Sequence, residues 1–307
     1  MRCVFAGTPE VAATALRALV ASHHEILAVV TRPDAPSGRG RRIVASPVAE
    51  LARAAGIEVL QPGSLRDESV LSRIGELAPD CAPAVAYGGL VPPAALALPR
   101  HGWVNLHFSL LPAWRGAAPV QHAIWRGDDI TGASTFALDE GLDTGPVFGT
   151  VTEAIRPDDT AGTLLARLAD VGSGLLVATL DAIEAGTAHA VPQVGEPSVA
   201  PKLSVDDARI RWDLPAVAVD RQVRACTPTP GAWTTLGEDR VQLGPVVIES
   251  DREHLAPGAL VVGRREVLVG TATAPVRLGA VRAAGKREMP AADWARGVRM
   301  SDGDRFA

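Results

Sequence analysis

Between Arg2 and Trp125 short apolar runs alternate with segments of helical period, and that alternation leaves few folds open. Strands are expected at residues 2–6, 26–31, 58–60, 81–87 and 103–108, with helices at 10–21, 47–55, 69–77 and 119–125. Alternating elements of this kind wind into a mostly parallel sheet covered on both faces. A strand pair at 133–138 and 147–155 brackets a Gly-rich loop, and 160–184 reads as a long Leu/Ala helix. Near Gly186 the pattern changes. Residues up to Lys202 are Pro-, Gly- and polar-rich without helical period, which reads as a linker. Beyond it short strands dominate, at 209–212, 233–236, 240–248, 259–262, 267–270 and 276–281, with helices at 216–225 and 291–298. The expected fold is therefore α/β: a Rossmann-like, doubly wound, mostly parallel sheet followed by a small C-terminal OB-like β-barrel domain. The expected domains are 1–186 and 205–307, with a linker at 187–204. A length of 307 residues suits two domains, and an apolar fraction of 47% supplies both cores.

Several function classes are disfavoured. The net charge of −5 gives no global attraction to nucleic acid, so any RNA contact needs a local basic patch. Cys3, Cys81 and Cys226 are dispersed and form neither a disulfide framework nor a metal spacing. They read as small buried hydrophobes of a reducing, cytoplasmic compartment. The apolar run at 3–6 is too short for a signal peptide and is broken by Gly7-Thr8-Pro9. No stretch is credited with the roughly 20 apolar residues of a membrane span. Gly7-Thr8-Pro9 lacks the G-x-G-x-x-G spacing, so it reads as a tight turn with Pro at the helix start, and a nicotinamide dehydrogenase is disfavoured.

The candidate chemistry lies at 102–112. The strand opened by Gly102-Trp103-Val104 continues through Asn105, His107 and Ser109, which alternation places on one face, with Leu106, Phe108 and Leu110 on the other. These groups fall near the carboxyl end of the strand, where open α/β sheets build their sites. Asp143, in a Gly-flanked loop, can fold back onto the imidazole. An amide N–H and an imidazolium suit the oxyanion formed when an amine attacks a carbonyl carbon. A carboxylate beside the imidazole is expected to raise its pKa and fix its orientation. His107 by itself reads as a satisfied core histidine; taken with Asn105 on the same face and Asp143 in its loop, the packing and catalytic readings stand level. His23, His24, His101, His122, His189 and His254 are scattered without zinc-ligand spacing, so surface or packing roles are their default and no metal is expected.

Asn105-x-His107, then Ser109-Leu110-Leu111-Pro112, then Leu142-Asp143-Thr144-Gly145 resembles the pattern of the folate-dependent formyltransferases. The likeness runs nearly end to end. It takes in Val4–Glu10, Trp114–Gln121, Ala200-Pro201-Lys202-Leu203, Arg211-Trp212-Asp213 and Gly285–Met289. It is similar above all to members that formylate methionyl-tRNA. The resemblance implies 10-formyltetrahydrofolate as donor, the α-amino group of initiator methionyl-tRNA as acceptor, and a monomer. It makes Asn105, His107 and Asp143 catalytic, with no metal and no covalent intermediate. It assigns Ser109, Leu110, Leu111 and Pro112 to folate contact, and the Tyr87-Gly88 turn is a candidate pocket wall, since glycine lets a flat ring approach closely. Ala113 departs from the pattern where a charged residue is common, which touches a peripheral contact alone. Arg41-Arg42 stand where Lys-Lys is frequent, and Ala225–Pro230 where an aromatic-containing version is often found.

The basic cluster Gly38-Arg39-Gly40-Arg41-Arg42 is by itself a solvated loop or a phosphate contact. The resemblance makes it a tRNA contact, with Arg39 nearest the acceptor end. Lys202, Lys286 and Arg287 are further candidates for tRNA phosphates. The rival readings are a formyltransferase for a small amine such as an amino-sugar nucleotide, and a non-catalytic RNA-binding protein. A small acceptor needs neither the basic loop nor the appended β module. The complete Asn105/His107/Asp143 set speaks against the second.

Overall fold

A computed structural model describes residues 1–37, 42–298, 300 and 303–307 of the chain, with Ser37 and Arg42 described by their backbone. Arg39 and Arg41 lie outside the described residues. The chain divides into two compact units, each drawn from three segments. The first comprises Met1–Pro119, Ile130–Ala154 and Leu165–Ala200; the second comprises Val120–Asp129, Ile155–Leu164 and Pro201–Ala307.

Up to Glu184 the elements are β1 (Arg2–Gly7), α1 (Glu10–Val20), β2 (Glu25–Val30), β3 (Ala35–Ser37), β4 (Arg42–Val44), α2 (Pro47–Ala54), β5 (Glu58–Leu60), α3 (Glu68–Leu77), β6 (Ala82–Val85), α4 (Pro93–Leu96), β7 (Trp103–His107), α5 (Pro119–Arg126), β8 (Ile130–Ala137), β9 (Val147–Ala154) and α6 (Ala161–Glu184). The sheet runs β5-β2-β1-β6-β7-β8-β9, parallel as far as β7, with β8 and β9 antiparallel. Residues of β1 and β6 are buried on both faces, as a strand covered by helices on each side requires. Local chemistry sets the helix starts. Ser46 caps α2 by accepting from the Ala49 N–H at 3.0 Å, with Pro47 beginning the helix, and Asp67 caps α3 through the Ser69 N–H.

Chain order reverses between β1 and β6, so their carboxyl ends form a topological switch point. The Thr8 hydroxyl donates to the Tyr87 carbonyl there at 3.2 Å. α6 coincides with the helix expected at 160–184, but it overturns the expectation that no stretch has the apolar length of a membrane span: its 24 residues meet that length and composition. Here Leu168, Leu176 and Leu180 are buried at helical spacing, and Gly172 lies over Leu106 and Ala133, so α6 covers β7 and β8 as a core helix. The β3–β4 ribbon was not expected.

The second unit adds α7 (Ala216–Cys226), β10 (Trp233–Leu236), β11 (Asp239–Leu243), β12 (Val246–Ile248), β13 (Leu260–Val262), β14 (Val267–Val269), β15 (Val276–Leu278), β16 (Ala280–Ala283), β17 (Met289–Pro290) and α8 (Ala291–Gly297). The strands form two antiparallel sheets, β10-β11-β16-β17 and β12-β15-β14-β13. The long strands expected at 240–248 and 276–281 each break in two, because the β11–β16 pairing passes from one sheet to the β12–β15 pairing of the other. The bend falls at Gly244-Pro245 and Gly279, where a Cβ on Gly279 would lie 2.7 Å from the Pro245 carbonyl oxygen. Such corners are how small β modules wrap a core. That core includes Trp212, Val223, Val241, Val269 and Trp294. The strand expected at 209–212 reduces to one bridge, Arg209 to Trp233.

Candidate active site

β7 pairs with β6 on one side and β8 on the other, setting Asn105 beside Ala84 and Phe136, and His107 beside Ser134. Asn105 is half-buried and His107 is 6% exposed, edge-on to Phe136 at 6.3 Å. The strand stops at His107, two residues sooner than the alternation argument assumed. Ser109 therefore lies in the bend beyond it, fully buried, with its hydroxyl donated to the Ala113 carbonyl at 2.6 Å. Ser134 holds the same bend by donating to Ser109 O and accepting from Leu111 N.

Asp143 reaches His107, as the sequence reading expects: Oδ2 stands 3.7 Å from Nδ1, an ion-pair separation longer than a hydrogen bond. The other ring nitrogen, Nε2, is 2.9 Å from the Trp114 carbonyl. A carbonyl can only accept, so Nε2 carries a proton and a neutral ring keeps its lone pair on Nδ1. The expected upward pKa shift is corrected here. Burial pushes the imidazole below its ordinary 6.5, outweighing the upward pull of Asp143 and of the Trp114 contact. The imidazole is thus neutral near pH 7, a base facing a carboxylate.

The backbone around this pair is unusual. Trp114 and Asp143 take positive φ values of 60° and 52°, which non-glycine residues rarely adopt. Trp114 N donates to Ser198 Oγ at 2.8 Å, and Gly116 N donates to Asp143 Oδ2 at 2.7 Å. One turn, Trp114-Arg115-Gly116, thereby grips both the histidine and the aspartate. Gln193 accepts from the Arg115 guanidinium and donates to the carbonyls of Asp143 and Gly145 at 2.8 and 2.9 Å. Gly145 is confined: a Cβ there would stand 1.7 Å from the Ala137 carbonyl oxygen.

Arg115, Gln193 and Ser198 were not singled out from sequence. Arg115 was quoted within a family block without a role, and the other two were submerged in a stretch read as linker. Residues 191 and 199 in fact bridge to Val147 and Arg115.

The remaining candidates separate. Tyr87 and Gly88 line a cavity of about 450 Å3 at the switch point, with Arg32, Leu65 and Arg66 among its other walls. Arg32 donates to the Gly88 carbonyl. Leu110, Leu111 and Pro112 are half-buried and do not line that cavity; Leu110 lies against Gly132 of β8. Lys202, Lys286 and Arg287 are exposed in the second unit. A larger cavity of about 660 Å3 in that unit, lined by Trp125, Arg211, Trp212 and Arg305 among others, contains none of the candidates.

The described geometry offers an amide on a strand, a buried neutral imidazole and a carboxylate within reach of it. This is a set for moving a proton while stabilising an oxyanion. Residues 1–180 match the formyl transferase family model, and residues 202–299 match the model for the formyl transferase C-terminal domain. A methionyl-tRNA formyltransferase of Salinispora arenicola is 64% identical, the match covering 100% of each chain. Among solved structures, HypX of Aquifex aeolicus in complex with tetrahydrofolic acid superposes with a TM-score of 0.69 at 18% identity, over 96% of this chain and 47% of that one. A methionyl-tRNA formyltransferase from Clostridium thermocellum gives 0.60 at 15% identity, over 91% and 98%. These last two speak to the fold, Rossmann-like with appended antiparallel sheets. With both of its units matched and a full-length relative at this identity, the chain belongs to the formyl transferase family.

Proposed function

We propose that this protein transfers the formyl group of 10-formyltetrahydrofolate to the α-amino group of initiator methionyl-tRNA, giving formylmethionyl-tRNA for translation initiation. The observation that carries the reading is the full-length identity to relatives of that activity, which spans the catalytic set and the second unit alike.

In the reaction we assign to the site, the amine nitrogen bonds to the formyl carbon and the carbonyl electrons move to oxygen. The half-buried Asn105 amide donates to that oxyanion. His107 Nδ1 takes the proton released by the nitrogen, and the resulting imidazolium is stabilised by Asp143 at ion-pair distance. Protonated, it becomes the second donor to the oxyanion that the sequence reading assigns to it. His107 then returns the proton toward the folate nitrogen as the bond from carbon to that nitrogen breaks, leaving tetrahydrofolate and a formamide. The Trp114 carbonyl fixes the tautomer throughout. The turn at 114–116 and Gln193 hold Asp143 against a backbone that would otherwise relax from positive φ.

In this reading Tyr87 and Gly88 border the folate site through the cavity at the switch point, and Ser109, Leu110, Leu111 and Pro112, which lie outside that cavity, contact the donor from the neighbouring bend. Arg39, Arg41, Arg42, Lys202, Lys286 and Arg287 contact tRNA phosphates. The protein acts as a cytoplasmic monomer, without membrane attachment, and its reaction uses no metal. The test is formylation by the full chain with 10-formyltetrahydrofolate and three acceptors: methionyl-tRNA, free methionine and an amino-sugar nucleotide. Rapid product on methionyl-tRNA alone is expected. Transfer to the sugar but not to tRNA would overturn the acceptor assignment.

A further inference from the structure

A second group of chemistry-bearing side chains lies in the first unit at the amino ends of the parallel strands, the edge opposite Asn105 and His107. His23 and His24 occupy the turn between α1 and β2. Asp181 and Glu184 stand in the last turn of α6, spaced by three so that their carboxylates leave one face. The His24 side chain is fully buried, whereas His23 and Asp181 are 61% and 47% exposed. The two imidazoles sit 4.2 Å apart between centroids.

One ring nitrogen of His24 is accounted for. Nδ1 stands 3.0 Å from the Met1 ammonium, which also donates to Glu184 Oε1 at 2.6 Å. The other is not: among the described residues, Nε2 of His24 is a buried side-chain nitrogen with no hydrogen-bond partner. Asp181 Oδ1 is only 3.0 Å from it, so the failure is one of direction. A ring selected to pair with Asp181 would point its N–H along that line. His23 Nε2 lies 3.8 Å from the same oxygen, and the donor atoms of all three residues fall within 4.8 Å of one another.

Those separations suit a shared cation better than an ion pair. A tetrahedral zinc site, with bonds of about 2.0–2.2 Å, spaces its ligand atoms roughly 3.3–3.5 Å apart. The observed 3.0 and 3.8 Å bracket that edge. Two imidazoles and a carboxylate form a donor set for a borderline first-row cation and not for magnesium or calcium, which take oxygen ligands.

We propose that His23, His24 and Asp181 form a binding site for a divalent first-row transition cation of the zinc class, tying the turn before β2 to the end of α6. The cation takes the place of the unaligned Nε2 proton of His24, which leaves to solvent, while the Met1 ammonium supplies the proton Nδ1 then needs. His23 Nε2, now 2.7 Å from Glu184 Oε2, loses that proton to solvent and gives up the hydrogen bond when it ligates the cation, and water completes the coordination. The site is independent of the formyl-transfer reading.

The test uses the full chain without a histidine tag, stripped with chelator and titrated with ZnCl2 by calorimetry, with thermal unfolding followed in parallel. One Zn2+ per chain is expected, with a rise in Tm at saturation. His23→Gln and Asp181→Asn, both at exposed side chains and so compatible with folding, should each weaken binding at least tenfold and remove the Tm rise. Co2+ should give the visible absorption of a tetrahedral centre in the native chain and lose it in either variant. Failure of Zn2+ to bind in a defined ratio, or binding undiminished in both variants, would overturn the site.

Discussion

Among the described residues His107 and His24 are the two buried histidines, each with an aspartate nearby, and they are built in opposite ways. At His107 the Nε2 proton is spent on the Trp114 carbonyl, and Nδ1 stands 3.7 Å from Asp143. At His24 it is Nδ1 that is engaged, by the Met1 ammonium, and Nε2 is left over 3.0 Å from Asp181. Burial lowers the pKa of both rings. What separates them is which nitrogen the surroundings consume. A ring with its far nitrogen pinned to a carbonyl presents one lone pair to a reactant. A ring with a leftover nitrogen among other donors presents an edge to a cation. Proximity of His to Asp, which is all a sequence motif can suggest, does not distinguish the two.

The largest expected effect comes from breaking the first arrangement alone. His107→Ala, Asn105→Ala and Asp143→Ala should each lower turnover by about a hundredfold or more while the Zn2+ titration stays as in the native chain. Single-turnover formylation with native circular dichroism as a control reads this. Turnover surviving in all three would remove the site. Next, Gln193→Ala frees the Asp143 loop without touching the ring, and about a tenfold loss in kcat with KM nearly unchanged is expected, as for a displaced catalytic group. A KM effect alone would recast Gln193 as a substrate contact.

The pH profile sharpens the contrast further. In the proposed reaction the neutral form of His107 is the active one, and burial holds its pKa below 6.5, so kcat/KM should climb with pH through an inflection under that value and stay level above it. Asp143→Asn removes the upward pull of the carboxylate, so the inflection of the residual activity should move lower still. An inflection above 6.5 in the native protein would contradict the neutral base. The smallest effects belong to the exposed cations. Lys202→Ala, Lys286→Ala and Arg287→Ala should each reduce the salt dependence of methionyl-tRNA binding by about one counterion, with donor KM unmoved.

Much of the first unit was legible because its inner strands, such as β1 and β6, are apolar on both faces and because helices α2 and α3 begin with recognisable caps, Ser46 and Asp67. The approach of Asp143 to His107 was legible too, through a Gly-flanked loop and through likeness to a known motif. Three things were hidden, each for a physical reason. β3 and β4 are three-residue strands containing Pro36 and Arg42, too short and too polar to show a period. The corner at Gly279 divides one apolar run between two sheets, and period-2 patterning does not register a bend. Gln193 and Ser198 sit in a polar stretch whose composition is that of a linker, although its bridges return it to the sheet. The protonation of His107 was misjudged because a charge neighbour is visible in sequence, whereas desolvation is a property of the packed interior.

That returning stretch sets an order on the making of the enzyme. A ribosome that has released the chain only as far as Glu184 has already delivered Asn105, His107 and Asp143, yet not the glutamine that pins the aspartate or the serine that pins Trp114. The nascent protein therefore carries the groups we assign to catalysis before it carries their restraints. Competence arrives as a late event of synthesis, when residues 193 and 198 fall into place.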